Sequence, residues 1–158
     1  MSERQKILLY NPTAVFWTMP LGLIAVGSAL DPERYEIKII DARLEADPVG
    51  AVLRETQDAL CLGMGVITGD PIRDALNVSK AVKVARPDLP VVWGGWHPSL
   101  FPDECLAEPT VDAAVSGQAA RSCGWARSPA RKRYWTRWTR ARKSSRFTLQ
   151  PATCTRWA

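Results

Sequence analysis

The sequence lacks the features that mark several common protein classes. No run of about 18 apolar residues occurs, as a membrane helix would need, and the N-terminal apolar run at residues 7–10 is too short for a signal peptide. The four cysteines form no C-x-x-C pair, so neither a zinc motif nor a thioredoxin motif is present. We therefore expect a cytoplasmic protein with no membrane partner and no disulfide framework.

Acidic residues are absent from one end of the chain. Of the 21 basic and 16 acidic residues, residues 119–158 contain eleven basic ones and no acidic one. Residues 1–118 therefore carry a net charge of −6, and the overall charge of +5 describes neither part. The sequence predicts an α/β domain over residues 1–118, followed by a basic tail rich in Arg and Trp over residues 119–158.

Short apolar runs alternate with helix-like segments over the first 118 residues. The patterns predict strands at residues 6–10, 35–41, 59–66, 89–93 and 111–115. They predict helices over 20–30, 47–56 (with Asp47 as N-cap) and 70–85, and a helical turn over 102–107. Because Gly22 and Gly27 lower the helix propensity of the first helix, we expect close packing there. Strands separated by helices indicate a doubly wound, five-stranded parallel sheet of the flavodoxin-like (Rossmann-like) kind.

Ligands bind such sheets in the loops beyond the carboxyl ends of the strands. The glycines of Gly94-Gly95-Trp96-His97-Pro98 allow close approach of the backbone to a ligand, and an ordinary tight turn explains them about equally well. The run Gly63–Asp70 is not G-x-G-x-x-G and follows an internal strand, which gives little support to a dinucleotide site. The apolar loop at residues 11–19 is suited to packing on a large apolar cofactor, on a partner domain or on the sheet edge.

His97 is the only histidine. A ligand or proton-relay role and a turn-stabilising role both stay open for it. Thr68 offers a hydroxyl either to a ligand or to the cap of the next helix. Hydrolytic metal chemistry is poorly supported without a second histidine or a carboxylate pair. The Walker, G-x-S-x-G and H-E-x-x-H motifs are absent.

Six segments carry a family resemblance. They are Ile7-Leu-Leu-Tyr-Asn-Pro12, Pro20-Leu-Gly-Leu23, Ile37-Lys-Ile-Ile-Asp41, Leu62-Gly-Met-Gly-Val-Ile-Thr68, Val91-Val-Trp-Gly-Gly-Trp-His-Pro98 and Val111-Asp-Ala-Ala-Val-Ser-Gly-Gln118. In order and spacing, over about residues 6–118, they resemble the N-terminal cobalamin-binding domain of cobalamin-dependent radical S-adenosylmethionine enzymes. The resemblance implies a cobalamin held across the strand ends, with its lower nucleotide tail inserted beside the sheet.

The resemblance also implies which residues contact the cofactor, mostly through backbone groups and small side chains. Carried over position by position, they are Asn11, Pro12, Thr13, Gly65, Val66, Ile67, Thr68, Gly94, Gly95, Trp96, His97 and Gly117. The Asp-x-His-x-x-Gly motif, which supplies an axial imidazole in methionine-synthase-like domains, is absent. His97 is therefore not expected to be the axial ligand, and no catalytic or metal-ligating residue is assigned.

The catalytic domain of that family needs a C-x-x-x-C-x-x-C motif, which this chain lacks. An iron–sulfur cluster and S-adenosylmethionine are therefore expected only in a missing catalytic domain. Whether the chain is itself an enzyme stays open, and a separate radical S-adenosylmethionine domain is the expected protein partner. A doubly wound domain that binds a nucleotide or a sugar nucleotide is the alternative.

The tail departs from the family pattern after Gln118. We expect residues 119–158 to be disordered or loosely helical. The favoured explanation is a shifted reading frame in a truncated radical-enzyme relative. The alternative is a nucleic-acid-binding arm, in which basic residues alternate with Tyr134, Trp135 and Trp138. Nucleic acid is the less favoured partner.

Overall fold

The computed structural model describes residues 4–14, 19–118 and 147–149. Its strands are β1 (Gln5–Asn11), β2 (Tyr35–Asp41), β3 (Ala59–Gly65), β4 (Val91–Gly94), β5 (Ala113–Val115) and β6 (Phe147–Leu149). Its helices are α1 (Leu21–Ala29), α2 (Pro48–Glu55), α3 (Asp70–Ala85), α4 (Trp96–Leu100) and α5 (Pro102–Ala107), with a 3₁₀ turn at Ala42–Leu44. Within these ranges, no helix is long and apolar enough to cross a membrane.

The strands form one parallel sheet in the order β2-β1-β3-β4-β5-β6. The first five strands have the flavodoxin-like order, so the predicted fold class is confirmed. β2 and α3 have the predicted bounds. The N-cap of α2 is also confirmed, because the Asp47 carboxylate accepts a hydrogen bond from the amide of Gly50 at 2.9 Å.

The structure differs from the sequence-based expectation in two places. α4 forms directly after β4, where the sequence predicts only a turn. Within the tail, β6 pairs in parallel with β5, so the expectation of disorder or loose helix is wrong for these three residues. Pairing there satisfies backbone groups that β5 would otherwise present as an open edge. Residues 15–18 of the first loop lie outside the described residues. The other tail residues lie outside them as well, together with the predictions made for those residues.

Helices cover the sheet on two faces. On one face, called here the α3 face, α2, α3 and α5 pack over the larger buried side chains of the strands, such as Tyr10 and Trp93. On the other, the α1 face, α1 packs over a smaller cluster that contains Ile7, Leu9 and Cys61. The alternation of side chains along each strand places neighbours in sequence on opposite faces.

α1 is apolar on its outer side as well as its inner side. Leu23 packs inward, whereas Leu21 and Ile24 are exposed. A Cβ added at Gly27 would lie 3.1 Å from Cγ2 of Ile37, which confirms the predicted close packing at this glycine. A Cβ at Gly22 would meet no atom within 4 Å, so the same prediction is wrong there.

Candidate functional site

Three consecutive strands of the sheet are each followed by a glycine with a left-handed backbone. Gly69 follows β3 with a φ of +111°, Gly95 follows β4 with +101°, and Gly117 follows β5 with +80°. Side-chain-bearing residues rarely adopt these φ values. Because parallel strands end at the same edge of a sheet, the loops meet there, and at these three glycines they present backbone atoms without a side chain.

The loop after β4 is fastened to the loop after β3 by its backbone. The amide of Val66 donates to the carbonyl of Gly94 at 2.7 Å, and the amide of His97 donates to the carbonyl of Val66 at 3.1 Å. A Cβ at Gly95 would lie 2.9 Å from that Val66 oxygen, so the packing requires glycine as firmly as the backbone angle does. Val66 is fully buried and holds the two loops together.

Ser99, a residue that the sequence did not single out, joins the loop after β4 to the loop after β5. Its hydroxyl donates to the carbonyl of Gly95 at 2.6 Å and accepts from the amide of Gly117 at 2.9 Å. The hydroxyl of Ser116 donates to the Ser99 carbonyl at 3.2 Å. The sequence signal for Ser99 is one serine four residues after a strand-end glycine, which is too common a pattern to identify it.

Asp74 of α3, also missed by the sequence analysis, holds the loop after β1. One of its carboxylate oxygens accepts the phenol hydrogen of Tyr10 at 2.9 Å and the amide hydrogen of Thr13 at 2.7 Å. Burial raises the pKa of Tyr10, and the negative charge of Asp74 raises it further. The phenol therefore stays protonated and keeps donating to Asp74.

The ends of β1 and β2 are joined by polar side chains. Asn11 lies opposite Asp41 in the parallel pairing. The guanidinium of Arg43 donates to the Asp41 carboxylate, with the Arg43 Nε 2.9 Å from Oδ1. This hydrogen bond holds the pKa of Asp41 below its usual range. The side chain of Asn11 also donates to the Asp41 carboxylate. The Arg43 and Asp41 side chains are 7% and 10% exposed. The Asn11 side chain is thus already engaged within the protein.

The two neighbouring loops after β3 and β4 also meet through side chains. The hydroxyl of Thr68 lies 3.3 Å from Nδ1 of His97. The imidazole ring lies 5.4 Å from the ring of Phe101, centroid to centroid. His97 thus belongs to a contact between loops, and its position is compatible with both roles that the sequence leaves open.

Large apolar side chains surround this edge of the sheet. Trp96 and Ile67, in the loops after β4 and β3, are 66% and 39% exposed. Met19 and Leu21, where the chain enters α1 after β1, are 68% and 66% exposed, and Leu100 of α4 is 54% exposed. Clustered exposed apolar side chains mark binding surfaces on proteins.

Small residues continue from this edge along the α1 face. Across the sheet, Leu9 lies beside Gly63, Gly63 beside Val92, and, one pleat nearer the edge, Gly65 beside Gly94. The small-residue strip, as we call it, consists of Gly63 and Gly65 on β3 and Val92 and Gly94 on β4. Each of these residues is partly exposed.

The strip has room at Gly65 and Gly94, its two residues nearest the edge, whereas a Cβ added at Gly63 would lie 3.0 Å from Cδ2 of Leu9. A Cβ added at Gly94 would meet only ordinary contacts, at 3.7 Å from Cβ of Val115 and 3.9 Å from the carbonyl oxygen of Met64. A Cβ at Gly65 would lie 3.4 Å from Cδ2 of Leu23, the inward residue of α1. The strip is therefore a flat, partly open surface that begins beside α1 and leads to the edge where the loops meet.

All of the predicted site residues lie at this edge. Thr13, Ile67, Thr68, Gly95, Trp96 and Gly117 are exposed, Asn11, Gly65, Gly94 and His97 are partly exposed, and Pro12 and Val66 are buried. The topology therefore brings together residues from four strand ends that are far apart in sequence.

Comparison with known proteins agrees with this geometry. A family model described as the B12 binding domain matches residues 9–123, which include every loop described above. The chain belongs to this B12-binding family. The resemblance to a cobalamin-binding domain is thereby confirmed.

Two individual proteins are similar to the B12-binding chain. Cytidylyl-2-hydroxyethylphosphonate methyltransferase of Streptomyces wedmorensis is 26% identical over 141 residues, which cover 72% of this chain and 26% of the relative. The chain thus spans about a quarter of the length of this curated relative. The 1.5 Å crystal structure of a cobalamin-binding protein from Desulfitobacterium hafniense DCB-2 matches with a TM-score of 0.57 and 16% identity, over 85% of this chain and 59% of that one. This second likeness confirms the fold.

Proposed function

We propose that this chain is the cobalamin-holding module of a relative of radical S-adenosylmethionine enzymes, with the cofactor at the carboxyl ends of the strands. The observation that carries the proposal is that the family match spans the loops after β1, β3, β4 and β5, which meet at one edge of the sheet. The same proposal includes a domain at residues 1–118, a basic tail after it, and a cytoplasmic location.

The residues present fit a large, flat macrocycle with a polar periphery. Exposed Ile67 and Trp96 offer apolar contact to a macrocycle, and the strand-end glycines let it approach the backbone. The small-residue strip offers the space beside the sheet for a nucleotide tail. When bound, cobalamin supplies a cobalt centre suited to the transfer of a methyl group. No side chain of this edge is assigned as its axial ligand.

The described residues divide into those that contact the cofactor and those that support them. Thr13 and Thr68, both exposed, have hydroxyls positioned to bind polar groups of the cofactor's periphery. Asn11 acts through its backbone, since its side chain is engaged by Asp41. Pro12 and Val66 are buried and support the loops rather than contact the ligand.

The chemistry of the parent enzyme lies outside this module. The similar protein from Streptomyces wedmorensis is named as a methyltransferase, and this chain covers about a quarter of it. An iron–sulfur cluster and S-adenosylmethionine would belong to a separate radical domain, which is the protein partner of this module. We expect the isolated chain to bind cobalamin and to catalyse no reaction.

The test is retention of cobalamin by the full-length chain. Purified protein is incubated with hydroxocobalamin and desalted, and its visible spectrum is recorded. Wild-type protein is expected to keep the cobalamin bands. In Gly94→Ala, a methyl group projects into the strip at little cost to the fold, and the affinity is expected to fall at least about tenfold, as overpacking of a fitted site does.

Gly27→Ala is the matched control. It adds the same methyl group to the far end of α1, 3.1 Å from Cγ2 of Ile37, so it perturbs the fold at least as much and leaves the strip unchanged. It should bind as the wild type does. A wild-type protein that is folded by circular dichroism and colourless after desalting would refute the proposal and favour the nucleotide or sugar-nucleotide alternative. Equal binding by Gly94→Ala would refute the position of the cofactor along the strip.

A further inference from the structure

The hydroxyl of Ser99 makes two hydrogen bonds that connect different loops. Serines within helices often donate to the carbonyl four residues earlier, as Ser99 does to Gly95 at 2.6 Å. The same oxygen also accepts the amide hydrogen of Gly117, 18 residues away in sequence, at 2.9 Å. The second bond crosses from the β4 loop to the β5 loop, so Ser99 does more than satisfy its own helix.

Among the residues that the structure describes, two hydrogen bonds join the β4 loop to the β5 loop, and both involve Ser99. Gly95 and Gly117 both have left-handed backbones and no side chains with which to pack. α4, which carries Ser99, is only five residues long. The hydroxyl of Ser116, beside Gly117, donates to the Ser99 carbonyl at 3.2 Å, so both the side chain and the backbone of Ser99 hold the β5 loop.

We propose that Ser99 is a positioning residue of the cobalamin site, and that it holds Gly95 and Gly117 at the separation that the bound cofactor requires. The inference rests on the proposed function. Ser99 acts through the two glycines and does not itself touch the cofactor. Loss of its hydroxyl should therefore weaken binding and change the environment of the bound cofactor while the sheet stays folded.

The experiment compares substitutions that differ in one hydroxyl. Ser99→Thr and Ser99→Val have nearly the same shape, and only the threonine can bridge the loops. In the full-length chain, titration with hydroxocobalamin followed by absorbance gives the affinity and the spectrum of the bound form. We expect Ser99→Val and Ser99→Ala to bind about tenfold more weakly, equivalent to ~1.4 kcal/mol, with altered visible bands. Ser99→Thr should restore both properties.

Ser28→Ala is the control, because Ser28 also donates its hydroxyl to a helix carbonyl, that of Ala25 at 3.1 Å, at the end of α1 remote from the loops. It should bind with wild-type affinity and spectrum. Hydrogen exchange of the Gly117 amide gives a measurement without cofactor, and it should speed up in Ser99→Val and not in Ser99→Thr.

Three results would count against the inference, and they are distinguishable. Wild-type affinity and spectrum in Ser99→Val would overturn the role of Ser99 and leave the proposed function intact. Equal exchange of the Gly117 amide in the Val and Thr variants would show that the hydroxyl does not hold the β5 loop. A folded wild-type chain that retains no cobalamin would refute the proposed function, and the positioning role would fall with it.

Discussion

Three glycines near the carboxyl edge should respond differently to the same substitution, alanine. Gly95 has both a left-handed φ of +101° and no room for a Cβ. Gly69 has a left-handed φ of +111°, but a Cβ there would meet only Cδ of Pro71 at 4.0 Å. Gly22 has neither constraint, since a Cβ would meet nothing within 4 Å. The three substitutions therefore separate backbone strain from steric contact.

The structure gives the magnitudes. A side-chain-bearing residue held in such a sparsely populated backbone region costs on the order of 1–3 kcal/mol, which is the loss expected for Gly69→Ala. At Gly95 the new methyl would also lie 2.9 Å and 3.1 Å from the Val66 oxygen and nitrogen, backbone atoms that cannot rotate away. Overpacking adds about 1–3 kcal/mol, so Gly95→Ala should lose about 4 kcal/mol in all. Gly22→Ala should gain up to about 1 kcal/mol, because alanine favours a helix.

Urea denaturation of the full-length chain, followed by circular dichroism, measures these free energies of unfolding. The expected order of stability is Gly22→Ala, wild type, Gly69→Ala and Gly95→Ala, from highest to lowest. Equal losses at Gly69 and Gly95 would show that the close approach to Val66 is absent. Wild-type stability in both variants would refute the left-handed backbone at these loops, and with it the geometry of the site.

Three further predictions concern side chains. Because Arg43 lowers the folded-state pKa of Asp41, the stability from this pair is present above the unfolded value of 3.8 and is lost as the pH falls through the folded value. The urea midpoints of wild type and Asp41→Asn should therefore differ at pH 7 and converge once the pH has fallen below the folded pKa of Asp41, and a constant difference would contradict this. Asp74→Ala should speed hydrogen exchange at the Thr13 amide several-fold, and unchanged protection would refute the loop anchor. Burial raises the pKa of Cys105 to about 11, so mass spectrometry of iodoacetamide-treated native protein at pH 8 should find it unmodified, unlike the urea-unfolded chain.

The elements that sequence patterns predicted well are those with strong local signals. β2 alternates polar and apolar residues over its whole length, and α2 starts at an Asp-Pro pair that caps it. α4 was missed because five residues that begin after two glycines and contain Pro98 are too short to show helical periodicity. β6 was missed because three residues are too short a run to show an alternating pattern, and the strand depends on pairing with β5.

The position of the site followed from topology, whereas the residues that support it did not. Parallel strands bring their carboxyl ends to one edge, so the loops after β1, β3, β4 and β5 could be named in advance. Asp74 reaches the loop after β1 across 61 residues, and Ser99 reaches Gly117 across 18 residues. Such contacts depend on how α3 and α4 pack against the loops, for which a single sequence carries no local signal.

The glycines of β3 lie in a different structural context from the one that the sequence suggests. From the sequence, the glycine-rich run that begins at Gly63 has a superficial likeness to a phosphate loop, although it is not G-x-G-x-x-G. In the structure Gly63, Met64 and Gly65 lie within the strand, where alternation places Met64 in the core under α3 and both glycines on the α1 face. At Gly65 the lack of a side chain therefore leaves space on a sheet surface rather than in a turn, whereas Leu9 fills the space beside Gly63. Because a flat surface suits a bulky inserted group better than a small anion, the register of β3 favours cobalamin over a free phosphate at this position.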